Sequence, residues 1–217
     1  MKEQKDYIRD IAEIRSMMER SSKFVSLSGW AGIMAGIYAL AGAFIAWQYF
    51  DFNPVSIFCN TTNTGMAPNG GDPCIEYAAL PEIVLLALFI LILSAVSAIY
   101  FSYRRADKRG EKLWNATSRR LLENMAVPLV TGGLLIVIFI SKGMIGLMAP
   151  LSLLFYGLAL YSASKLTYDE VRVLGVVQII LGLVSTYFVE YGLICWAFGF
   201  GIVHIAYGIY IHFKYER

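Results

Sequence analysis

The chain has 217 residues, of which 58% are hydrophobic and only 16% charged, well under the roughly one-quarter charged residues of an ordinary soluble domain. Mean hydropathy is +0.59 and the charges are confined to a few short stretches, so the apolar remainder suits lipid better than one oversized core. A net charge of +2 gives no bulk attraction to nucleic acid, and the composition reads as a single-domain, all-α integral membrane protein.

Residues 1–25 form a charged leader, "KEQKDYIRDIAEIRSMMERSSK" at its heart. Tyr7, Ile11, Ile14 and Met18 recur every three or four residues and predict one apolar stripe on a cytoplasmic amphipathic helix. Six basic and five acidic residues nearly cancel there, which argues against a polybasic lipid anchor. Such a helix lies on the membrane surface or on the protein's own loops, or recruits a cytoplasmic partner or a second copy through 1–22. It lacks the short apolar run and small-residue cleavage site of a signal peptide.

Crossing about 30 Å of hydrocarbon takes roughly 20 apolar residues, and six segments between 26 and 213 meet that requirement. The first is 26–48. It carries Ser28, Gly32 and Gly36 at four-residue steps, with Ala31, Ala35, Ala39 and Ala43 on an adjoining ridge. Such ladders let helices approach closely, and Gly201 and Gly208 in the last span make a matching set, for internal packing or for a homo-oligomer contact. The 50–81 loop follows, where Cys59 and Cys74 sit among Gly, Asn, Thr and Pro. On an extracytoplasmic, oxidising side they suit a disulfide, worth on the order of 3 kcal/mol of loop restriction.

The second span, 82–103, opens after Pro81. The 104–123 loop holds seven bases and three acids. With Trp114 beside them, Arg104, Arg105, Arg119 and Arg120 suit a lipid-headgroup layer. The third span is 124–141. A tight "KGMIG" turn leads to the fourth, 146–164, and the fifth and sixth, 171–189 and 193–213, are joined by "EYGL". Turns this short pair spans three with four and five with six as antiparallel neighbours. The tail is 214–217. Seventeen lysines and arginines fall on one side of this topology and only Lys142 on the other, which places both termini in the cytoplasm.

Away from their ends the spans hold no Lys, Arg or Asp, and His204 is their one ionisable centre of the kind that ion-coupled transport requires. The turn near residue 191 puts Gln178 and His204 at equal height, about half-way through the bilayer. A Gln–His pair at that depth is worth about 0.6 kcal/mol on average, up to 1–2, and explains the histidine without a ligand. The alternative is a small-molecule transport or channel cavity lined by His204, Gln178, Tyr207, Tyr156 and Tyr161. No cofactor is expected, haem on His204 being the lesser alternative. His212, about 12 Å further along the helix, belongs in the headgroups, and no metal-ligand spacing occurs.

Enzyme readings fail on residue types. Two histidines are too few for a di-iron hydroxylase, "SLSG" lacks the first glycine of a GxSG nucleophile motif, and no intramembrane lysine is present for a retinal Schiff base. The opening "IRSMMERSSKFVSLSGWAGIMAGIYAL" resembles an uncharacterised family of bacterial six-span inner-membrane proteins, in which a short charged helix leads into a Ser/Gly-rich first span. The resemblance implies a bacterial inner-membrane location and no chemistry. The expected role is therefore non-catalytic: binding or regulation, through a hydrophobic ligand or a partner protein at the cytoplasmic face, with membrane lipids around the bundle.

Overall fold

A computed structural model of the chain describes residues 28–50, 80–108, 110 and 114–216. The leader, with the partner surface expected at 1–22, and the disulfide expected between Cys59 and Cys74 lie outside the described residues. The fold is an all-α, six-helix membrane bundle, with no strand among the described residues. Its helices are α1 (Gly29–Phe50), α2 (Leu80–Lys108), α3 (Ala116–Ser141), α4 (Met148–Ala163), α5 (Asp169–Tyr187), α6 (Gly192–Trp196) and α7 (His204–Tyr215). A π-helical stretch, Ala197–Val203, joins α6 to α7, so the sixth span, Val189–Tyr215, is four helical pieces end to end, opening with the 3-10 turn Val189–Tyr191. All six spans are long and apolar enough to cross a bilayer, which makes the chain a multi-pass membrane protein.

Two helices are longer than expected. α2 continues through Arg104 and Arg105 to Lys108, and α3 begins at Ala116 rather than near 124. Asn115 explains the early start, because its side chain accepts the Ser118 N–H at 2.8 Å while Ser118 Oγ accepts the Asn115 N–H at 2.8 Å. This reciprocal box satisfies helix-end donors that would otherwise lack partners. The basic loop therefore shrinks, and its arginines ride on helix ends.

Packing follows the small residues. α1 lies on α7 and the π segment: a methyl on Gly36 would come 2.7 Å from the Gly201 carbonyl oxygen, and one on Gly208 2.6 Å from the Ile33 nitrogen. The Gly32, Gly36, Gly201 and Gly208 ladder is thus spent inside the chain, not held out for a second copy. α4 and α5 meet in the same way, since a methyl on Gly157 would lie 2.8 Å from the Gly175 carbonyl oxygen and one on Gly175 2.9 Å from that of Gly157.

The pairing of spans three with four holds. Spans five and six also stay in contact from their turn to the far end, where Tyr215 donates to Glu170 at 3.0 Å, although α5 packs most extensively on α4, and α7 on α1. Backbone-to-backbone contact at the glycines outweighs the tether of a short turn. α2 reaches the bundle mainly through α1 and α3 mainly through α4. Their outward residues, such as Leu85, Phe89, Ile92 and Val96, are exposed for lipid.

One end gathers the start of α1, the end of α2, the start of α5 and the end of α7, as the Arg105, Tyr168, Glu216 and Gly29 contacts show. It is called the basic end below. Just inside it, Leu160, Tyr168, Val171, Leu174 and Ile211 make a core on which Tyr156 and Tyr207 pack.

Candidate functional site

Two polar constellations stand out, one deep in the bundle and one at its basic end. The deep one is built on the π segment. The His204 N–H bonds to the Gly201 carbonyl, and the Gly199 carbonyl is met by side chains: Gln178 Nε2 donates to it at 2.7 Å, and His204 Nδ1 lies 2.9 Å away. A carbonyl only accepts, so Nδ1 carries the imidazole proton. The 3.2 Å approach of Gln178 Nε2 to His204 Nδ1 is then two donors converging on one acceptor, not a bond between them. His204 Nε2 is left to accept the Tyr156 hydroxyl proton at 3.0 Å.

Phe200 stacks on the imidazole at 5.6 Å and leans on Trp196 at 5.2 Å. Gln178 is fully buried and His204 is 4% exposed. A side chain at Gly199 would sit 2.6 Å from Gln178 Oε1 and from Leu153 Cδ2, so the carboxamide occupies the space that glycine leaves. The centre is closed and mutually bonded. Both ring nitrogens are engaged by the chain, so an iron or other metal on His204 would have to displace Gly199 or Tyr156. Among the described residues no group of three His, Cys, Asp or Glu is placed to hold a metal ion.

The sequence placed Gln178 and His204 level, and they are. Tyr156 joins them directly. Tyr207 lies on the neighbouring core with its hydroxyl buried and without a partner among the described residues. Tyr161 does not join: it is 37% exposed and its hydroxyl accepts from Arg172 at 3.4 Å. Residues five apart on a helix point about 140° apart, so Tyr156 and Tyr161 cannot line one cavity.

At the basic end, Glu216 holds three elements together. Its Oε1 accepts the first N–H of α1, from Gly29, at 2.7 Å and Arg105 Nη1 of α2 at 2.8 Å, while Oε2 meets His212 Nδ1 at 2.6 Å. Arg105 Nη2 also donates to the Tyr168 hydroxyl and the Tyr215 carbonyl, each at 3.2 Å. Burial pushes the Glu216 carboxyl up, but hydrogen bonds from His212, the Gly29 N–H and Ser28, with the Arg105 charge, outweigh it and hold the group below its ordinary value. Here the structure corrects two expectations. Arg105 is not a headgroup residue but 8% exposed, drawn inward by a carboxylate 111 residues away. His212 is likewise part-buried against Glu216 and Trp30. Trp114, Arg119 and Arg120 are exposed as expected.

Beside this latch opens a cavity of about 720 Å³, within the range of small-molecule sites. Trp30 and Met34 of α1 line it together with Phe101, Arg104, Arg105 and Lys108 of α2 and with Glu216. Sequence reasoning had Arg104 and Arg105 as surface charges and did not find the cavity. The i, i+4 spacing of Arg104 and Lys108, one turn beyond Phe101, was its signal. The chain matches no protein-family model, no curated protein and no solved structure.

Proposed function

We propose that the protein is a non-catalytic, multi-pass protein of a bacterial inner membrane, with both termini in the cytoplasm, that binds a hydrophobic ligand at the cytoplasmic end of its bundle. The lysine and arginine asymmetry and the opening motif support the location and orientation. The observation that carries the binding role is the basic-end cavity between α1, α2 and α7, concave and part aromatic where the spans meet water. An alkyl diazirine probe photolysed in membranes tests it. Label should concentrate on the peptides carrying Met34 and Phe101, and Met34→Trp, which fills the space, should remove it; labelling spread evenly along the outer face of α2 would dismiss the role.

A second reading, small-molecule transport past His204, draws on the π segment and on Gln178 Oε1, a buried acceptor without a hydrogen-bond partner among the described residues. Uptake that survives His204→Leu unchanged would end it. Recruitment of a cytoplasmic partner through 1–22 rests on the amphipathic pattern alone.

A further inference from the structure

We infer that the ligand of the basic-end cavity is an anionic phospholipid, its phosphate held between Arg104 and Lys108 and a chain running against Phe101, Met34 and Trp30. This rests on the cavity being the ligand site. The charge balance of its lining carries the inference. Glu216 is the one acid among the lining residues, and Arg105 and His212 already engage both of its oxygens. Arg105 in turn donates to Glu216, the Tyr168 hydroxyl and the Tyr215 carbonyl. Arg104 and Lys108 remain: both are exposed and neither has a hydrogen-bond or ion-pair partner among the described residues. They lie four apart on α2, on one face of the helix, and leave two positive charges unanswered on the cavity rim.

An uncompensated cationic pair above an aromatic and thioether wall fits an amphiphile with an anionic head. A fully hydrated soluble anion would find the phosphate contacts but gain nothing from Trp30, Met34 and Phe101. A zwitterionic lipid would find the wall, but its own cation would oppose Arg104 and Lys108. Basic pockets between spans at a membrane boundary select anionic headgroups on these grounds.

The test uses the full-length chain in nanodiscs with spin-labelled phosphatidylglycerol and spin-labelled phosphatidylcholine at trace level, and reads the immobilised fraction of each. The intact chain should favour phosphatidylglycerol, and Arg104→Gln with Lys108→Gln should cut that preference about thirty-fold while leaving phosphatidylcholine as before. Arg119→Gln with Arg120→Gln, equal in charge change but away from the cavity, should leave the preference in place. If that control pair lowers it as much, general attraction to the basic face explains the result and the inference is overturned. Equal immobilisation of the two lipids by the intact chain overturns it too, yet spares the hydrophobic-ligand role; immobilisation of neither removes both. Displacement of the lipid by millimolar inorganic phosphate would show a site for the free anion and overturn the lipid assignment.

Discussion

Gln178 and His204, on different spans, reach the same backbone carbonyl, that of Gly199, at 2.7 and 2.9 Å. The irregular turn of the sixth span creates that meeting point. Without the π segment the side chains would still be level but would lack a shared acceptor.

Replacing Gln178 or His204 with leucine, singly and together, should therefore reveal coupling of about 0.6 kcal/mol, at most about 1.7, in a double-mutant cycle of unfolding in detergent. Gly199→Ala should cost more than either single change, because its methyl would come 2.6 Å from both Gln178 Oε1 and Leu153 Cδ2. A neutral Gly199→Ala would mean that the carboxamide does not occupy that space.

Adjacent glycines on α3 make a sharper comparison. A methyl at Gly132 would run into the Phe155 side chain of α4, as close as 2.9 Å even to its Cδ2, whereas one at Gly133 would meet nothing within 4 Å. Gly132→Ala should lower the thermal midpoint. Gly133→Ala should leave it unchanged or raise stability by about 0.5–1 kcal/mol through reduced chain entropy. Equal effects would place α3 wrongly on α4.

The Glu216 latch predicts an acid-side loss of stability. A carboxylate held below its ordinary 4.5 contributes fully above that value and loses its contribution as pH falls through its folded pKa. Thermal midpoints followed downward from about pH 6 should therefore fall below about pH 4.5 in the native chain, and this limb should flatten in Glu216→Gln. Arg105→Leu should cost about 3 kcal/mol near neutrality, the low end for breaking a buried pair, since His212 and the Gly29 N–H remain on the carboxylate. An acid limb unchanged in Glu216→Gln would remove the latch from the stability of the fold.

Orientation is open to direct assay. Single cysteines introduced at Lys142 and, separately, at Lys108 should react with a membrane-impermeant maleimide from opposite sides of inner-membrane vesicles, Lys108 from the cytoplasmic one. Labelling of both positions from one side would break the alternation of spans.

How much of this was legible depends on how local each cause is. Uninterrupted apolar runs revealed the six spans, and the count of residues on either side of a turn near residue 191 put Gln178 level with His204. The glycine ladder gave an interface without saying whose; only the α1–α7 contact shows that it is internal. Gly199 escaped notice because its role belongs to a backbone carbonyl, and glycine is ordinary in a span. Arg105 was misread because its partner is Glu216, at the far end of the chain, and sequence neighbours such as Arg104 pointed to water. Tyr161 could have been set aside beforehand, since helical spacing alone turns it away from Tyr156.

The most direct measurement compares two variants by native mass spectrometry of the purified chain, counting retained phospholipid. If the basic-end cavity is the binding site and the His204 centre is structural packing, His204→Leu should keep the lipid of the native chain and Met34→Trp should lose it. Loss of lipid in His204→Leu together with retention in Met34→Trp would contradict that assignment and move the site to the middle of the membrane.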